Sequence, residues 1–156
     1  MAAFLAPQEL HDLAFRYGLA VDNCDADMLL SVFTTGGAVL GYGINPIVFR
    51  GESGLRQMIA QVDSGFQRTM HNVFNQTFER DDAGIVTGLT TCVASHILPG
   101  DDWVLLDMAI RYHNDYAQQD GEWKFHERRL EVLWVENRPV QQFTAAMMNA
   151  ELAGFQ

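Results

Sequence analysis

The chain of 156 residues has only ten lysines and arginines against twenty acidic residues, a formal net charge of −10. No basic cluster is present to displace counterions, so nucleic-acid binding is not expected. Cysteine is scarce: Cys24 and Cys92 stand apart, with no CxxC pair and no zinc-like spacing. Two reduced thiols in a cytoplasmic protein are the expected state, not a disulfide framework. Long apolar runs are missing too, and nothing approaches the ~20 residues that span a bilayer. The opening MAAFLAPQELHDLAF lacks a basic segment ahead of its apolar residues, which does not fit a secretory leader. No repeat, linker or low-complexity tract interrupts the chain. What is there is 48% hydrophobic, enough to bury a core in one domain over residues 1–156.

Apolar spacing divides this domain into helices followed by strands. Pro7 suits the first turn of a helix, and Leu10, Leu13, Ala14, Tyr17 and Val21 form a stripe at helical period after it. Asp25 is placed to cap a second short helix, ADMLLSVF, which TTGG should end. AVLGYG and PIVFRG read as short strands, and GESGLRQMIAQVDSGF as a third helix. From residue 68 three turn signals, RDDAG, LPGDD and QQDG, separate four long strands at about 68–80, 84–98, 102–117 and 121–136. Short turns between long strands make sequential antiparallel neighbours. The expected fold is α+β: a strongly curved, mostly antiparallel sheet with N-terminal helices packed across it, enclosing a pocket. The core spans about 8–136. Residues 137–156 form a C-terminal helix or tail, packed on the outer helices or a partner subunit, or else closing the pocket as a lid.

Within that frame a few polar residues can converge. With regular pairing, His71, Val73, Asn75 and Thr77 share one face of the first long strand, and His96 ends the second strand on the side of Thr90, Cys92 and Ala94. Counting from the RDDAG turn sets the two histidines nearly opposite each other. Asp22 lies at the end of the first helix, on the margin of its apolar stripe. A carboxylate bonded to an imidazole fixes the tautomer and makes a better base. Tyr17, Tyr42, Tyr112 and Tyr116 could offer hydroxyls to a ligand carbonyl.

The segments FRYGLAVDNCDADMLLSVFT, FRGESGLRQMI, RTMHNVFNQTFE, VASHIL and DGEWKFHERRLEV, in this order, resemble the SnoaL-like branch of the nuclear-transport-factor-2-like (cystatin-like) superfamily, within it the scytalone dehydratase-like group. The resemblance implies a conical α+β fold with a catalytic Asp and one or two histidines inside the cone. The Asp falls on Asp22, the strand histidine on His71 and the second histidine on His96, 25 residues later (96 − 71). The tyrosine expected before the Asp is Val21 here, Tyr42 could serve as a second pocket tyrosine, and the asparagine expected on the third long strand falls near Arg111 and Tyr112. Scytalone itself is therefore not the expected substrate.

These readings converge on a cofactor-independent lyase, a dehydratase or dehydrohalogenase acting on a small neutral, ring-sized substrate, and on a homo-oligomer, dimer or trimer. His71 is the favoured base, with Asp22 pairing to either histidine. Three alternatives remain open. One is a non-catalytic binding or assembly subunit, like the small subunit of ring-hydroxylating dioxygenases. The second is a ketosteroid-isomerase-like isomerase. The third is a two-histidine, one-carboxylate metal site at Asp22, His71 and His96.

Overall fold

The computed structural model describes residues 4–41 and 47–148. Three helices, α1 (Gln8–Asp22), α2 (Ala26–Ser31) and α3 (Gly51–Gly65), precede four long strands, β3 (Arg68–Arg80), β4 (Val86–Ile97), β5 (Val104–Gln119) and β6 (Glu122–Pro139). Two further strands, β1 (Phe33–Gly41) and β2 (Val48–Arg50), lie between α2 and α3. One six-stranded sheet results, in the order β2-β1-β6-β5-β4-β3. Its long strands form the antiparallel meander that the turn signals imply, and β1 joins through a parallel pairing with β6. The sheet is curved and does not close.

Local chemistry explains the elements. The stripe of α1 is buried at Leu10, Leu13, Ala14, Tyr17 and Val21, each 4% exposed or less. Burying such a side chain is worth about 1.5–3 kcal/mol, so this one face anchors the helix to the sheet. Asp25 caps α2, its Oδ1 accepting from the Met28 amide at 2.9 Å. TTGG does not act as a stop signal: Thr34 to Gly37 already belong to β1, with an irregular register against β6 between Phe33 and Ala38. The two glycines are absorbed by that irregularity, where a break in the ladder suits them.

The core lies between the helices and the concave face of the sheet. Thr90, Cys92, Ala94 and His96 of β4 and Ile110, Tyr112, Asn114 and Tyr116 of β5 are all buried there. At the other end of β6, Val132, Leu133, Trp134 and Val135 are 39–65% exposed. The C-terminal segment makes one helical turn at 145–148.

Candidate active site

Asp22 is placed by the way α1 ends. The Asp25 amide bonds the Ala20 carbonyl at 2.8 Å and the Cys24 amide bonds the Val21 carbonyl at 3.1 Å. This is a Schellman closure, and Cys24 occupies its left-handed position, at φ 51°, where glycine is usual. Asp22 thus becomes the last helical residue, with its carboxylate at the negative end of the helix dipole. That placement is unfavourable unless donors are supplied, and β3 supplies three. The His71 amide donates to Oδ2 at 2.8 Å, His71 Nδ1 to Oδ1 at 2.7 Å and Thr69 Oγ1 to Oδ1 at 2.8 Å. Burial would raise the carboxyl's pKa, but the bonds from His71 and Thr69 outweigh it and hold the pKa below its ordinary value.

The approach of α1 to β3 depends on Gly18. A Cβ at this position would lie 3.1 Å from the Cβ of His71. The glycine lets the helix axis come close enough for Asp22 to meet the ring. The His71 side chain is 6% exposed and that of Asp22 19%. In the neutral ring, Nδ1–H donated to the carboxylate leaves the lone pair on the other nitrogen, Nε2.

A β-bulge sets which way the two histidines face. Near the turn the register pairs Thr77 with Leu89, but past the irregularity between Val73 and Gln76 it pairs His71 with Ala94 and Thr69 with His96. The one-residue slip turns His71 onto the face of Ala94 and His96. Asn75 and Thr77 do not share that face, contrary to regular pairing; both are exposed, while Gln76 and Phe78 turn inward. His71 and His96 are diagonal neighbours, with ring centroids 5.9 Å apart. His96 is 4% exposed, packs against Phe66 at 4.4 Å, and donates from Nδ1 to the Ala94 carbonyl at 3.1 Å. Burial first, and then the charge His71 can carry, push its pKa down, which favours the neutral imidazole.

Both rings line a cavity of about 240 Å³. Its walls are apolar, from Val39, Phe49, Met58, Ile110 and Leu130 among others, and Tyr17 and Tyr112 contribute to its lining. Burial raises the pKa of both phenols, well above the ordinary value for Tyr112. Arg111 is a correction. It neighbours inward-facing Tyr112 on a strand, so it points to the opposite face, where Nη1 lies 3.5 Å from Glu131. Tyr42 lies outside the described residues. Among the described residues no three histidine, cysteine or carboxylate side chains are grouped to hold a metal ion.

One residue escaped the sequence reading. Arg128 is fully buried, its guanidinium 3.7 Å from the Tyr112 ring centroid, 4.3 Å from that of Tyr17 and 4.7 Å from that of Phe125. Nη1 donates to Asn114 Oδ1 at 2.8 Å, while Nε and Nη2 have no hydrogen-bond partner among the described residues. Strict alternation would put Arg128 and Phe125 on opposite faces. A register shift between Asp115 and Tyr116 turns both inward, pairing Tyr116 with Phe125 and Asn114 with Arg128. A cation therefore lies behind the two tyrosines of the pocket.

The same architecture recurs in solved structures. A hexachlorocyclohexane dehydrochlorinase, LinA-type3 from Novosphingobium barchaimii LL02, is 21% identical with a TM-score of 0.75, over 88% of this chain and 92% of that one. A scytalone dehydratase-like protein from Novosphingobium aromaticivorans is 18% identical with a TM-score of 0.73, over 86% and 88%. A Mycobacterium tuberculosis protein of unknown function is 25% identical with a TM-score of 0.68, over 80% and 70%. No curated protein matches the chain. The SnoaL-like domain matches residues 3–129, and the chain belongs to that family, with the nuclear-transport-factor-2-like fold.

Proposed function

We propose that the protein is a cofactor-independent lyase that eliminates water or halide from a small, neutral, ring-sized molecule. The observation that carries the reading is the 2.7 Å contact between His71 Nδ1 and Asp22 Oδ1 at the wall of an apolar cavity. In this reaction Nε2 of His71 takes a proton from a carbon of the substrate. The C–H electron pair becomes the new double bond, and the leaving group departs with its own bonding pair. Asp22 stabilises the imidazolium and holds its orientation. General-base placement of this kind contributes about 10²–10⁴-fold.

Negative charge builds on the substrate as the proton leaves. The buried Arg128 cation behind Tyr17 and Tyr112 favours that charge, and an apolar, water-poor site strengthens the interaction. His96 contributes shape and a polar edge across from His71. A halide departs without a proton; for hydroxide, a cavity tyrosine would have to supply one, because the neutral His96 ring commits its one proton to the Ala94 carbonyl. The cavity volume supports a substrate of about one ring, and the lack of a carboxylate partner for Arg128 among the described residues fits a neutral molecule that becomes anionic only as it reacts.

The reading includes a cytoplasmic setting, in keeping with the two free thiols and with the absence of a helix long and apolar enough to cross a membrane among the described residues. It also includes self-association, which the exposed apolar end of β6 supports. The test is turnover of a panel of cyclic halides and β-hydroxy ketones by wild type, His71→Ala and Asp22→Asn. Elimination by wild type alone is expected. Ligand binding with no elimination in any form would instead make the protein a small-molecule-binding subunit.

A further inference from the structure

Thr69 lies two residues before His71 on β3 and directly across from His96 on β4. Its hydroxyl donates to Asp22 Oδ1 at 2.8 Å, the same oxygen that receives His71 Nδ1. The side chain is part-buried and its neighbour Met70 points outward, 58% exposed. One short stretch, 69–71, thus delivers every hydrogen bond given to this carboxylate among the described residues. We propose that Thr69 is the positioning residue of the dyad, its hydroxyl keeping the Asp22 carboxylate charged and turned toward His71 Nδ1.

The physical case has two parts. A carboxylate at a helix C-terminus faces the negative end of the dipole, so each donor it gains matters more than on an open surface. The geometry is also restrictive: Oδ2 is held by the His71 amide and Oδ1 by two donors, so the carboxylate plane cannot rotate without breaking one of them. Remove the hydroxyl and Oδ1 keeps a single donor, the ring it is meant to orient.

Other groups near Asp22 do not take over this role. Burial and the nearby Asp63 charge raise the pKa of the Cys24 thiol, burial raises that of the Cys92 thiol of β4, and both stay protonated near neutrality. The His96 ring of β4 is held by the Ala94 carbonyl. His71 is the side chain in direct contact with the carboxylate beside Thr69. This inference uses the dyad of the proposed function, but its consequence for Asp22 exists with or without turnover.

The test is a carbon-13 titration of the Asp22 carboxyl in wild type, Thr69→Val and Thr69→Ser, with folding checked by thermal melting. Valine keeps the shape and removes the donor; serine restores the donor. Thr69→Val should raise the carboxyl's proton affinity by roughly tenfold, about the scale of one charge-assisted hydrogen bond, and Thr69→Ser should return it to wild type. With an elimination substrate, the acid limb of the kcat profile should move up in Thr69→Val with little change in KM. If Thr69→Val does not fold, Thr69→Ala carries the same comparison. An unchanged Asp22 titration in the folded variant, or a shift that serine does not reverse, overturns the assignment. A reversible shift supports it even if no substrate is ever turned over.

Discussion

Replacing Gly18 by alanine separates the stability of the fold from the geometry of the site. The added Cβ would sit 3.1 Å from the His71 Cβ and 3.8 Å from Val73 Cγ2. The first distance is shorter than ordinary carbon contact, so α1 and β3 must part by a few tenths of an ångström. Against this, alanine gains about 1 kcal/mol over glycine inside a helix. Overpacking a tight contact costs about 1–3 kcal/mol. The two nearly offset, leaving a net loss of roughly 0–2 kcal/mol and a fall in Tm of no more than about 8 °C. The site is less forgiving. A misplacement of about 1 Å can cost 10²-fold in rate, so a shift of a few tenths should cost about tenfold. The assay pairs thermal melting with turnover and with the low-field proton resonance of the bond between His71 Nδ1 and Asp22. A Gly18→Ala protein that melts higher by the full helix gain, with unaltered turnover and resonance, would refute the reasoning.

Three further outcomes are expected. Acid should destabilise the fold in two stages. The depressed pKa of His96 means the unfolded chain binds a proton first, so stability declines as pH drops below the ordinary histidine value of 6.5. The lowered pKa of Asp22 contributes stability that is full above its ordinary 3.8 and disappears as pH falls through the folded value. Urea unfolding between pH 7 and pH 3 measures both, and a flat profile would contradict them. Arg128→Met should fold within about 2 kcal/mol of wild type, because exchanging a buried charge for an apolar chain is often neutral or stabilising. Its kcat should drop, however, and unchanged kinetics would remove the cation from the mechanism. Cys24→Gly should stabilise by about 1 kcal/mol, because a non-glycine residue in the left-handed region carries a cost of that order; a lower Tm would show that the thiol packs too well to lose.

The sequence conveyed the framework better than the faces. Helical periodicity in α1 and three polar turns located the helix and the meander because those signals are local. TTGG was misleading because a glycine pair marks both a helix stop and an irregular strand, and only pairing with β6 distinguishes them. Counting from the turn with regular pairing sets the two histidines nearly opposite each other. They do share a face, but through the bulge after Val73, which shifts the register by one residue. A similar slip beside Tyr116 concealed Arg128, which alternation assigns to the outside. Arg111 enters through the asparagine that the resemblance places near Arg111 and Tyr112, but adjacent strand residues face opposite ways and only Tyr112 lines the pocket. Bulges are a property of two strands together, so a one-strand reading misses them.

The central claim, that Nε2 of His71 removes a proton from a bound carbon acid, is tested most directly by hydrogen–deuterium exchange into a cyclic ketone in D₂O. This readout needs no leaving group. Wild type should catalyse exchange at the carbon next to the carbonyl, and His71→Ala, melting normally, should lose roughly 10²-fold or more of it. Equal exchange by the two proteins would contradict the account.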